Sequence, residues 1–173
     1  MRSEEAGPAV GSGDEPGLPG SELPGLTGPE VAELLGLQPL PDEGGLFRRT
    51  YEDGSSSAIY YLLVAPEFSA MHRLQGPEIY HFYAGAAAPM LLLHPDGRIE
   101  EPVLGPDLRA GHRPQVVVQA GVWQASETLG AWTLLGTTMA PAWRADIFEL
   151  GTASQLIAGW PSGAERISRL CRR

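Results

Sequence analysis

The sequence predicts a mainly β domain, a sandwich or closed barrel, with short helices at both ends. Three observations predict it. Between Leu46 and Leu150 the apolar residues fall into many short strand-like runs with little helical spacing between them. The runs are divided by turn-forming clusters such as Glu52-Asp-Gly-Ser-Ser56, His94-Pro-Asp-Gly97 and Gly105-Pro-Asp107. Before and after this region the pattern changes to capping-box spacing followed by amphipathic runs.

Residues 1–25 are rich in Gly, Pro, Ser and Glu and poor in large apolar side chains. Such a segment buries too little surface to offset its ordering entropy, so it is read as a disordered tail. A folded domain is expected over residues 26–160, with a C-terminal helix over 161–173. Thr27-Gly-Pro-Glu30 has capping-box form, with Val31, Leu34 and Leu35 on one face of a short helix and Gly36 as its stop. Strands are expected at Leu46–Tyr51, Ala58–Val64, Glu78–Tyr83, Met90–Leu93, Arg98–Leu104, Gln115–Gln119, Trp132–Met139 and Asp146–Glu149. Thr152-Ala-Ser-Gln155 and Ser162-Gly-Ala-Glu165 repeat the capping-box spacing ahead of Leu156-Ile157 and Ile167–Leu170, with Pro161 between them. Helices this short need the barrel or a partner to dock on.

At 173 residues, with 43% apolar and 19% charged side chains, the chain suits one domain with a real core. A net charge of −9 and the lack of a long basic run argue against a nucleic-acid partner, which needs cations to displace phosphate counterions. The tail arginines Arg166, Arg169, Arg172 and Arg173 are expected to complement the negative end of a final helix. Cys171 is the only cysteine, so neither an intramolecular disulfide nor a Cys-rich zinc site can form, and a surface or interface position is expected for it. The first residues are acidic and no stretch approaches the roughly 18 apolar residues of a membrane span. The expected location is the cytoplasm, with no membrane partner.

The chemistry concentrates in Met71-His-Arg-Leu-Gln-Gly-Pro-Glu-Ile-Tyr-His-Phe-Tyr-Ala-Gly85, and in Gln119-Ala-Gly121 with Gln124 three residues beyond. These segments resemble the two motifs of the cupin superfamily. The first motif pairs two His one residue apart with a Glu and, seven residues later, a Gly; His72, Glu78 and Gly85 match it. The second is a turn followed by a His, where this chain has Gln124. Runs such as Asp42–Tyr51, Leu91–Gly97 and Arg113–Gln124 further resemble one small cupin subfamily of unknown function. The resemblance implies a double-stranded β-helix, a jelly-roll or cupin barrel, with a small-molecule ligand inside and a homodimer as the assembly.

The departures from the motifs bear on function. Of four expected metal ligands the chain keeps His72 and Glu78, while Leu74 and Gln124 stand in the other two places. That set suits zinc or iron poorly, so neither a metal nor another cofactor is expected. If Glu78 points inward, strand alternation puts Tyr80 and Phe82 on its face and Ile79, His81 and Tyr83 on the other. His72, Glu78 and Tyr80 become the candidate catalytic set, and Gln124, Arg73 and Trp123 the candidate ligand contacts. A His beside a carboxylate can act as base and a Tyr as acid, which suits epimerisation or isomerisation of a carbohydrate-like metabolite. A non-catalytic metabolite-binding module is the alternative, and a metal oxygenase fits least. The structural alternatives are a satisfied His72–Glu78 pair, Tyr80 and Phe82 as pocket wall, and a surface ion pair for Arg73. His94 and His112 are expected in exposed turns, and one tryptophan at the barrel mouth.

Overall fold

The computed structural model describes residues 25–172; the expected tail falls almost wholly outside them. Helix α1 runs Gly28–Leu35. The strands are β1 Gln38–Pro39, β2 Leu46–Glu52, β3 Ser57–Val64, β4 Phe68–Leu74, β5 Glu78–Gly85 and β6 Ala88–Leu93. They continue with β7 Ile99–Glu100, β8 Val103–Leu104, β9 Gln115–Val118, β10 Trp123–Glu127, β11 Trp132–Met139 and β12 Phe148–Leu150. Helices α2 Ala153–Gly159 and α3 Ala164–Leu170 close the chain.

Two antiparallel sheets face each other, in the orders β1-β2-β3-β11-β5-β9 and β12-β4-β10-β6-β7, with β8 paired to the far end of β6. Their inner faces meet in one apolar core that includes Tyr61, Leu63, Tyr80, Met90, Leu92 and Leu135. Burying each such aliphatic side chain is worth about 2 kcal/mol. The outer faces are covered separately. Val31 of α1 seals Leu62, Trp132 and Leu134, while Leu156, Ile167 and Leu170 of α2 and α3 seal Met71, Leu91, Leu93 and Trp123.

Local sequence rules explain the first helix. Glu30 accepts hydrogen bonds from the Thr27 backbone N–H and hydroxyl at 2.8 and 2.7 Å, and Gly36 ends the helix in the left-handed conformation. Leu34 is not on the buried face as expected: it is 70% exposed, because α1 turns Val31, Ala32 and Leu35 to the sheet. The C-terminal capping boxes do not form either. Thr152 caps α2 without a side-chain bond, and Ser162 sits in a short 3-10 turn ahead of α3. Arg169 stands in the last turn of α3 as expected, Arg166 and Arg169 also tie the helix to the barrel through Glu127, and Arg173 lies outside the described residues. Cys171, expected at a surface or interface position, is buried against this helix pair.

The strand expectations hold best where one face is buried and worst elsewhere. The expected Arg98–Leu104 strand is split into β7 and β8, since Pro102 offers no N–H for a ladder. The expected Asp146–Glu149 strand is a 3-10 turn over Ala145–Ile147 followed by β12. Strands β1, β4 and β10 were not expected at all. The alternation expected for β5 holds as far as Phe82; beyond it a bulge shifts the register, with Leu134 paired to Ala84 and Leu135 to Phe82, leaving Tyr83 as the extra residue. Phe82 therefore packs on the barrel core, while Ala84 joins the cluster under α1. His94 is mostly covered, with a side chain 14% exposed and bonded to Glu100.

Candidate active site

The two sheets leave a cavity of about 450 Å3 at one end of the barrel. His72 enters it from β4, Glu78 and Tyr80 from β5, Tyr61 from β3 and Thr137 from β11. Glu43 enters from the loop between β1 and β2. Hydrocarbon makes up most of the remaining wall, from Leu40, Phe47, Ile59, Leu74, Met139 and Phe148. Trp143 and Arg49 stand at the rim, with the guanidinium 5.9 Å from the indole centre and ion-paired to Glu52.

His72 is 1% exposed, and its two ring nitrogens have different surroundings. Nδ1 lies 2.8 Å from the Ala70 carbonyl. A carbonyl only accepts, so Nδ1 carries the proton and a neutral ring has its lone pair on Nε2. Nε2 is 3.9 Å from Glu43 Oε2, beyond hydrogen-bond reach. The ring is stacked on Phe148 at 5.3 Å, which fixes its plane. Glu43 is in turn held by Ser69, whose hydroxyl donates to Oε1 at 2.8 Å. Beneath this pair, Gln124 Nε2 donates to Glu78 Oε2 at 2.8 Å, and Gln124 Oε1 is left without a donor.

Burial pushes the Glu78 carboxyl above its usual range, and the nearby Glu43 charge adds to this, while His72, Thr137 and Gln124 pull the other way. Burial likewise raises the Tyr80 phenol well above 10, helped by the Glu78 and Glu43 charges. Tyr61, whose hydroxyl donates to the Gly44 carbonyl at 2.9 Å, is raised well above 10 by burial and then by Glu43. Both phenols thus keep their protons at neutral pH.

A pH prediction follows from Glu78. The folded protein holds this proton above pH 4.5, where an unfolded chain has begun to lose it. Stability contributed by Glu78 is therefore greatest at low pH and falls as pH rises through the folded-state value, by at most about 1.4 kcal/mol per pH unit. Urea unfolding at stepped pH should show this fall relative to Glu78→Gln. Parallel curves for the two proteins would refute it.

Four of the six sequence-predicted residues converge here: His72, Glu78 and Tyr80 line the cavity, and Gln124 supports Glu78 from behind. The other two are corrected. Arg73 and Trp123 lie on the outer face of the second sheet, because they alternate with the inward His72 and Gln124. Arg73 pairs with Glu149 at 2.7 Å and covers the Trp123 ring at 4.6 Å, so the surface-pair alternative holds. The tryptophan at the mouth is Trp143. Sequence reasoning missed Glu43, Tyr61 and Thr137. Glu43 sits in Asp42-Glu-Gly-Gly45, where Asp42, Gly44 and Gly45 all have positive φ and the turn is locked into an unusual path. The one available signal was a Gly-rich turn with adjacent carboxylates.

Arg172 secures this turn from the other end of the chain, donating to the Glu43 carbonyl at 3.3 Å and to Glu67 at 2.9 Å. Arg172→Ala is expected to speed amide exchange about fivefold at Gly44 and Ala70, the effect of one exposed charge-assisted bond. Exchange in β3 should not change. Equal exchange in the turn with and without Arg172 would show that the contact does not hold it.

Residues 29–151 match the family model described as Cupin superfamily (DUF985). The chain belongs to the cupin superfamily. A Shewanella oneidensis protein solved by X-ray crystallography is 30% identical, with a TM-score of 0.79 over 85% of this cupin and 98% of that protein. A hypothetical protein from Leishmania major is 20% identical, with a TM-score of 0.78 over 86% of this chain and 100% of that one. Oxalate decarboxylase from Bacillus subtilis shares the fold at 12% identity and a TM-score of 0.55, over 78% of this chain and 37% of its own. No curated protein matches this cupin.

The fold raises the question of a metal, since the Bacillus subtilis decarboxylase has Mn(II) centres. The cavity of this cupin does not fit one. Leu74 presents hydrocarbon where a second imidazole would be needed. Gln124 uses its N–H to bond Glu78 Oε2, occupying a carboxylate oxygen that a cation would require. Among the described residues no three His, Cys, Asp or Glu side chains are grouped to hold a metal ion.

Proposed function

We propose that this cupin binds a small metabolite in its barrel and moves a proton on it without a metal, in an isomerase- or epimerase-type reaction. The observation that carries this reading is the locked His72 ring, with Nδ1–H spent on Ala70 and Nε2 facing a largely apolar cavity. His72 Nε2 takes a proton from a carbon beside a carbonyl, and the electron pair moves onto the carbonyl oxygen. Tyr80 returns a proton to the carbon, and exchange with water restores both side chains. The carbohydrate-like substrate expected from sequence fits the wall less well, because Leu40, Phe47, Ile59, Leu74, Met139 and Phe148 offer a hydroxyl-rich molecule nothing to bond.

A second reading is a non-catalytic binding module, favoured by the Gln124–Glu78 bond, which fixes one carboxylate oxygen for structure. The test is incubation with pooled metabolites in D2O, read by mass spectrometry. A compound that gains one deuterium supports the enzyme. Retention of a compound with no mass change supports the module, and neither result would refute both readings.

A further inference from the structure

We infer that the ligand of this cavity is a protonated organic amine with an apolar body, its ammonium seated on Glu43. The inference rests on the reading of the cavity as a small-molecule site and adds the charge of the molecule that fills it.

The first ground is a missing countercharge. Glu43 and Glu78 both line the cavity, yet among the described residues no guanidinium contacts either carboxylate. All twelve basic side chains of the protein are arginine, so no lysine can serve. Arg49, the only arginine on the cavity wall among the described residues, is engaged with Glu52 and Trp143 at the rim. Arg172 reaches the Glu43 carbonyl and not its carboxylate. A carboxylate 13% exposed that accepts from the Ser69 hydroxyl and pairs with no guanidinium remains under-compensated. An anionic ligand would meet this same unbalanced charge and be repelled.

The second ground is independent of charge. His72 Nε2 belongs to a side chain 1% exposed, faces the cavity and has no hydrogen-bond partner. Glu43 Oε2 and His72 Nε2, 3.9 Å apart, are both acceptors when the ring is neutral. A group bearing several N–H donors bonds Glu43 and still presents a donor or the adjoining carbon to His72. A hydroxyl has one proton and satisfies one acceptor only. The walls complete the recognition: Phe47, Phe148 and Trp143 suit an aromatic or aliphatic body, and aromatic faces also favour a nearby cation.

The probes are 2-phenylethylamine, 2-phenylethanol and 3-phenylpropionate, which share a body and differ in charge. Titration at pH 7 with thermal unfolding and calorimetry compares the protein with Glu43→Gln and with Ala145→Trp, which blocks the exposed rim. The amine is expected to bind at least about tenfold tighter than the alcohol, to lose about tenfold in Glu43→Gln, and to be excluded by Ala145→Trp. Alcohol or carboxylate binding that equals the amine's and is blocked by Ala145→Trp would overturn the amine and leave the cavity reading intact. Amine binding unaffected by Ala145→Trp would place it outside the cavity and overturn the inference, as would no binding of any probe. The deuterium experiment judges the underlying reading separately.

Discussion

Replacing His72 by asparagine is expected to lower turnover by about two to four orders of magnitude, the usual contribution of a positioned base. Asparagine is the informative replacement because its amide N–H can still donate to the Ala70 carbonyl, as Nδ1 does at 2.8 Å. The buried carbonyl stays satisfied, so unfolding free energy should change by only about 1 kcal/mol. What disappears is Nε2, the lone pair facing the cavity. Deuterium incorporation from D2O should vanish with it, while ligand retention survives. If His72→Asn exchanges deuterium at the wild-type rate, His72 is a structural residue and the acid–base assignment is wrong.

The largest expected stability effect lies at the end of β5. Gly85 has φ +86°, and a Cβ there would fall 2.5 Å from the Trp132 carbonyl and 2.7 Å from its ring. Trp132 cannot step aside, since its indole N–H donates to the Leu26 carbonyl at 3.0 Å and its ring is packed under α1. Gly85→Ala therefore combines a left-handed backbone cost of about 1 kcal/mol with a clash against fixed atoms, about 3 kcal/mol together. For a domain of this size that lowers Tm by roughly 6–12 °C. Gly97 is the control: its φ is +88°, but nothing lies within 4 Å of an added Cβ. Gly97→Ala should show the backbone cost alone. Equal losses at the two positions would remove the clash with Trp132 as the reason for glycine in the motif.

The sequence by itself determined the β architecture, because strands with one buried face write their geometry as alternation. Strand β11 was legible to the residue as Trp132–Met139, and β5 put Glu78 and Tyr80 on one face correctly. The resemblance to the two cupin motifs also implied that His72, Glu78 and Gln124 are neighbours, although Gln124 lies far from the other two in the chain. Strands β4 and β10 stayed illegible, and they carry His72 and Gln124. Each is buried on both faces, between the barrel interior and the C-terminal helices, so apolar and polar residues no longer alternate. Their two-sided burial is a property of the assembled layers, which no local window contains. The same holds for Arg73 and Trp123: their side of the strand follows from the ladder that sets Arg73 opposite Trp123 and His72 opposite Gln124.

Only the tertiary structure decided the chemistry of the cavity. Glu43 enters from a turn whose position depends on Tyr61, Ser69 and Arg172, contributed by three distant parts of the chain. Burial, which raises Glu78, Tyr61 and Tyr80, likewise exists only once the two sheets close. Residue order determines which face a side chain takes along a strand. Closure of the barrel determines which faces meet, and so which charges are left without a partner.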